Sequence, residues 1–307
     1  MSVITTGSIP KAVSLAATAV TFWGAKYPKA EEGWPSIFES KPPPKASFVE
    51  DVGLSMLGSF RRKNESTAIS YDTMKQSYVT RYVPTVWALG YIVTEEMMDD
   101  GTALGAILSG NDALMFSAMQ TRATLAFDVF NNATDSTYAG GDGKELLATD
   151  HPKYKMGGSF ANEPSVAADV SEAALEAAAI AVKNMTDDAG NILGLMCRRV
   201  IASSSLDFEL ARLLNSPGRV GTANNDLNAI DYRKTFPEGY LCSPFISDTD
   251  MWVIQTNCPN GFKVFEWKKV TFDRDRDFGT RNILMAALFR SVWGWTDPRC
   301  AYGSPGA

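Results

Sequence analysis

The side chains able to do chemistry are few and scattered. His151 is the only histidine among 307 residues, and it stands in Thr149-Asp150-His151-Pro152. One imidazole excludes any site built on two or more His ligands from one chain, and it leaves a single candidate imidazole base. A His before Pro reads as a loop residue rather than a catalyst. The four cysteines, Cys197, Cys242, Cys258 and Cys300, form no CxxC pair. Their wide spacing does not read as a disulfide framework, so they are expected as reduced, partly buried thiols of a cytoplasmic protein.

Three short motifs fail on inspection. Gly140-Gly141-Asp142-Gly143-Lys144 lacks the early Gly of a phosphate loop, where Tyr138 stands, and the hydroxyl after Lys, where Glu145 stands. It reads as a turn. Gly157-Gly158-Ser159-Phe160-Ala161 lacks the last Gly of a nucleophile elbow. Ser247-Asp248-Thr249-Asp250 offers two carboxylates without the Gly and closing Glu of a calcium loop, and reads as a solvated turn. No catalytic, metal or cofactor site follows from these residues, and no cofactor is expected.

Two charged runs are better candidates for contact than for catalysis. Arg61-Arg62-Lys63-Asn64-Glu65 reads as a polar turn or loop, with Arg61, Arg62, Lys63 and Glu65 free to meet a partner. Asp273-Arg274-Asp275-Arg276-Asp277 alternates in sign; on a strand its acids face one way and its bases the other. It fits a solvated edge with weak ion pairs, or an assembly edge whose ladder sets register between copies. The pattern supports both equally.

Composition sets the outer bounds. A hydrophobic share of 45% is ample for a packed core in one or two domains. The net charge of −6 disfavours gripping nucleic acid by its phosphates; if the chain meets DNA, it should enclose it. The weakly apolar stretch from Ala12 to Ala25 is broken by Ser and Thr and is too short to span a membrane. Lys11 and Ala17-Thr18-Ala19 faintly suggest a secretion signal, but the run is poor in Leu and none is expected.

The elements that carry these residues can be sketched. Residues 1–45 read as an extended arm, punctuated by Pro10, Pro28, Pro35 and Pro42-Pro43-Pro44. Its Trp23, Tyr27, Trp34 and Phe38 must bury against the arm's own domain or against a neighbouring copy. Residues 46–94 read as a long two-stranded excursion, with Ile69, Tyr71, Tyr78, Val79, Tyr82, Val83, Val86 and Trp87 as its β-formers. An isolated hairpin is marginal in water, so a neighbouring subunit is the natural cover. Apolar residues recur at helical spacing over 104–131, predicting one helix about 40 Å long.

Residues 133–168 are loop-rich. Ser171 should cap a helix running to Asn184, Arg199–Ala202 a short strand, and Ser205 should cap a helix over Leu206–Leu214. Trp252–Ile254 and Phe262–Phe265 read as strands; the run Ile283–Trp295, apolar on both faces, fits a buried strand better than a helix, which periodicity alone does not separate.

Several stretches together resemble the major capsid (major head) protein of tailed bacteriophages, in its Mu-like branch. They are Tyr91-Ile92-Val93-Thr94-Glu95-Glu96, Leu147-Ala148-Thr149-Asp150-His151-Pro152, Gly221 through Ile230, and Phe289 through Arg299. The resemblance implies an α+β capsid fold. It would have an N-arm at 1–45, an E-loop region at 46–93, a P-domain at 94–165 with spine helix 104–131, an A-domain at 166–261, and P-domain return strands at 262–307. It also implies a non-enzymatic virion subunit, assembled in the host cytoplasm into pentamers and hexamers of an icosahedral head around double-stranded DNA. Its expected partners are further copies of itself, a separate scaffolding protein, a portal and a decoration protein. The Pro-containing start, without a long charged helical leader, is the basis for expecting separate scaffolding. An encapsulin-like nanocompartment shell shares the fold and is the alternative; a soluble enzyme is the more remote one.

Overall fold

The computed structural model describes residues 33–43, 45–99, 103–218 and 226–307. The strands in chain order are β1 (Glu39–Lys41), β2 (Val49–Leu54), β3 (Gln76–Tyr82), β4 (Thr85–Val93), β5 (His151–Pro152), β6 (Ser159–Phe160), β7 (Cys197–Ser203), β8 (Tyr240–Ser243), β9 (Trp252–Thr256), β10 (Phe262–Arg276), β11 (Ile283–Trp295) and β12 (Ala301–Ser304). The helices are α1 (Glu95–Asp99), α2 (Ala103–Asn131), α3 (Glu172–Asn184), α4 (Asp207–Asn215) and α5 (Ala229–Tyr232).

One sheet runs in the order β1-β10-β11-β4 and a second in the order β12-β9-β7-β8. The second sheet explains why its strands are apolar on both faces. Ile201, Val253 and Ala301 point to a core shared with Ala126, Phe127 and Phe130 of α2. Their neighbours Val200, Ala202, Trp252, Ile254 and Tyr302 point the other way, to Leu175 and Val182 of α3 and Leu210 of α4. Successive strand residues face opposite sides, so a sheet covered on both sides needs apolar residues throughout. β9 is buried along its whole length. At its polar end Gln255 donates to the Ile37 carbonyl at 3.0 Å and Thr256 to that of Arg299 at 2.7 Å, while Gln255 Oε1 is buried without a hydrogen-bond partner among the described residues.

The long helix forms as its spacing predicts, over Ala103–Asn131. Its C-terminal half carries the buried face, with Phe130 packed on Phe38 and Phe262. Tyr91 of β4 ties its earlier turns to the first sheet by donating to the Ile107 carbonyl at 2.9 Å. Trp34 and Phe38 also enter this core, so the end of the arm wraps on its own domain. The expectations for Trp23 and Tyr27, and for Gly221 through Asn225, lie outside the described residues.

Ser171 caps α3, accepting from the Ala174 N–H at 3.2 Å. The next helix start differs from expectation. Ser203, not Ser205, accepts the capping bond, and a 3-10 turn over Ser204–Leu206 leads into α4. Ser203 ends β7 in an extended conformation, the geometry a cap requires; Ser205 already lies inside the turn.

The excursion is less regular than its β-formers suggest. β2 and β3 pair from Val49–Tyr82 to Leu54–Gln76, but residues 55–75 form no strand. Ile69 and Tyr71 are therefore not strand residues. Past Leu54 no second layer covers the ribbon among the described residues, and β-propensity alone does not hold two uncovered strands together. Val86 and Trp87 lie beyond Pro84 in β4, which leaves the hairpin and pairs with β11 in the first sheet.

Candidate assembly surfaces

The hairpin root is locked to the first sheet by buried charge. Lys263 of β10, its side chain only 4% exposed, pairs with Asp51 of β2. Asp51 also accepts from the Thr296 hydroxyl at 2.9 Å, and Thr296 lies 2.7 Å from the Tyr82 hydroxyl. A buried ammonium demands such a partner.

The excursion beyond the root is held at two points. Lys155 donates to Asp72 at 2.6 Å and to the Met56 carbonyl at 2.9 Å. Asn191 bonds Ser59 and donates to the Leu57 carbonyl at 3.0 Å. The bonded Lys155, helped by the Gly58 and Thr73 N–H groups, holds the Asp72 carboxyl down to about 2. Outside these clamps the apolar side chains are bare: Phe60 is 106% exposed and Tyr71 91%. Arg61, Arg62, Lys63 and Glu65 stand exposed on the same segment, around the turn at Asn64–Thr67.

The alternating run lies at the far end of the β10–β11 hairpin. Among the described residues β10 pairs with β1 only over Lys263–Phe265, which leaves its later length an open edge there. Asp273, Arg274, Asp275 and Arg276 are all exposed there. The two-faced ladder is not carried through to its last member. Asp277 leaves the strand and accepts from the Gly279 N–H at 3.1 Å and the Thr280 hydroxyl at 2.6 Å. Those bonds hold its carboxyl below the usual range, Thr280 contributing most. Arg276 turns back on Glu95 of α1 at 2.7 Å, where Arg281 joins it at 3.0 Å. Asp273, Arg274 and Asp275 make no ion pair among the described residues.

The residues able to do chemistry are placed where they cannot. His151 is fully buried and lies in β5, not in a loop. Its Nδ1 lies 2.6 Å from Asp142 and its Nε2 3.1 Å from Asn162. With both nitrogens taken by these neighbours and its ring stacked on Phe160, it has no face for a substrate. The glycine run supplies this geometry. A side chain on Gly141 would strike the β3 backbone at Val79 and Thr80, and Gly143 turns the chain at φ +78. Burial pushes the thiol of Cys197 up to about 11 and that of Cys242 to about 12, and raises Cys258 and Cys300 as well. Such thiols are poor nucleophiles. Among the described residues no three His, Cys, Asp or Glu side chains converge as a metal site would require, and no helix is long and apolar enough to cross a membrane.

Two buried hubs were not legible in the sequence. Asn162 donates to the carbonyls of Leu146 and Pro298 and accepts from the Ala148 N–H. Arg299 reaches Asp188 at 2.6 Å, Asp297 at 3.3 Å and the Thr186 carbonyl at 3.1 Å. An isolated Asn or Arg carries no spacing signal, so only the tertiary contacts reveal them.

The protein is thus an α+β scaffold of two four-stranded sheets with a largely exposed excursion. The phage capsid protein family matches residues 77–304, most of the chain, and the chain belongs to that family. The fold is the phage capsid fold. The capsid of a native GTA particle is 12% identical with a TM-score of 0.59, over 94% of each chain. That of an empty GTA particle is 14% identical with a TM-score of 0.56, again over 94% of each. A Mycobacterium phage Patience chain is 11% identical with a TM-score of 0.55, covering 89% of this chain and 82% of that one. At such identities the likeness is one of fold. No curated protein matches the chain in sequence. Family membership assigns a structural, non-enzymatic role in the capsid of a virion, as part of a self-assembling shell.

Proposed function

We infer that this chain is the major head subunit of a tailed phage of the Mu-like branch. Its copies form pentamers and hexamers that close as an icosahedral shell around double-stranded DNA, assembled in the host cytoplasm. Residues 1–45 act as an N-arm, 46–93 as the E-loop region, 94–165 and 262–307 as the P-domain, and 166–261 as the A-domain. The observation that carries this reading is the excursion at 55–75. It is clamped at its base, yet bares Phe60 and Tyr71 to solvent. Large apolar side chains on an ordered support are a surface waiting for cover, and a shell of identical subunits supplies it. The net charge of −6, repeated over many copies, keeps packaged DNA from adhering to the wall. Scaffolding, portal and decoration proteins are the partners that this role implies.

Electron microscopy of the expressed protein tests the reading. Closed icosahedral shells, which in infected cells contain DNA, are the expected result. Small shells filled with a cargo enzyme would replace it with an encapsulin-like one. A stable monomer with measurable turnover would remove both.

A further inference from the structure

The end of the β10–β11 hairpin carries a knob, and beside it lies a socket that the knob does not fill. The knob is Phe278, 99% exposed at the tip. Its turn is stapled: the Asp277 carboxylate binds the Gly279 N–H and the Thr280 hydroxyl, while the Arg281 N–H donates to the Asp277 carbonyl at 2.7 Å. An aromatic ring on a turn already ordered gives up little further freedom on binding. The socket is a cleft of about 550 Å³ between α1 and the hairpin. Met98 and Ile283 give it apolar surface, and Arg274, Arg276 and Arg281 line it with guanidinium groups. Glu95 holds two of those groups in place.

A thioether and oriented guanidinium groups are the surroundings a phenyl ring favours. The chain's own Phe278 does not enter the cleft, since it is wholly exposed. We propose that Phe278 of one copy seats in the α1/β10–β11 cleft of a neighbouring copy. The charges favour a second copy as occupant. The same end of the molecule presents Arg274, Arg276 and Arg281 beside Glu95, Asp273 and Asp275, so two copies meet with opposite signs available on both sides. Knob and socket are different patches, so head-to-tail repetition closes a ring where the rotation allows, and reciprocal seating closes a ring of two. This inference rests on the reading of the chain as a self-assembling capsid subunit, and it names one contact that holds the shell.

A short bismaleimide applied to particles of the Gly279→Cys/Asp99→Cys double variant tests it, with one thiol beside the knob, one on the cleft lining, and Phe278 and Met98 kept. Denaturing gels should show cross-linked multimers up to one ring size. Dispersed subunits, and particles of either single variant, should show only the background of the four native thiols. Phe278→Ala should cut particle yield at least tenfold with an unchanged melting curve, because the side chain is almost wholly exposed in its own subunit. Particles of the double variant that give no multimers above background overturn the proposal, whatever the yield of Phe278→Ala, and leave the capsid reading standing. Failure of the unmodified chain to form particles removes both.

Discussion

Asp72 and Arg299 show how differently a charge behaves at the surface and in the core. Asp72 is open to water, so its bond to Lys155 is screened and adds little to global stability. Its effect is local and pH-dependent. The folded carboxyl titrates at about 2, below its ordinary 3.8. The clamp it contributes is therefore fully present above 3.8 and is lost as pH falls toward about 2. The Asp72 carboxyl chemical shift should show a midpoint near 2, moving back toward 3.8 in Lys155→Met. Arg299 is the opposite case. Its side chain is 6% exposed and that of Asp188 is 8%. Arg299→Leu strands the Asp188 carboxylate, and roughly 3–5 kcal/mol of stability should be lost. Chemical denaturation of the dispersed subunit measures this, and a loss below about 1 kcal/mol would show the pair to be solvated.

Among the elements, the alternating run now separates into parts with different duties. Asp277 and Arg276 work inside the subunit, one stapling the turn and the other pairing with Glu95. Asp273, Arg274 and Asp275 remain on an open strand edge, where charges deter promiscuous strand pairing. In the proposed shell they also set the register between copies. The double variant Arg274→Asp/Asp275→Arg keeps the charge sum and spares the Glu95 cluster. It should lower assembly yield several-fold while shifting the melting temperature little, as light scattering and calorimetry would show. Equal assembly would leave the run as an edge guard alone. Helix α3 was legible because a cap and a periodic apolar face coincide at Ser171. Strand character at Ile69 and Tyr71 was misread because propensity cannot tell whether a second layer lies beneath.

For the molecule as a whole, stability and assembly draw on separate surfaces. The two main cores join α2, both sheets, α3 and α4. None of residues 55–75 belongs to either. Deleting residues 60–75 should therefore leave a cooperative melting transition within a few degrees of the intact chain, yet prevent closed shells. Calorimetry paired with electron microscopy checks both halves, and normal particles from the deletion would refute the excursion's proposed role.

The inventory of one His, four scattered Cys and three incomplete motifs was legible in the sequence, because residue types and spacings are properties of the chain itself. The long helix was equally legible there, since its spacing is a property of the chain, whereas the run Ile283–Trp295 needed the sheet to separate a buried strand from a buried helix. What only the tertiary structure decided was which residues meet. It put His151 between Asp142 and Asn162, Lys263 against Asp51, and Glu95 against two arginines. It also left Phe278 alone at the hairpin tip. Partners such as Lys263 and Asp51 are 212 positions apart, and no local pattern encodes a contact at that separation. Whether a side chain is satisfied or left waiting for another subunit depends on the packing around it, which exists only once the chain has folded.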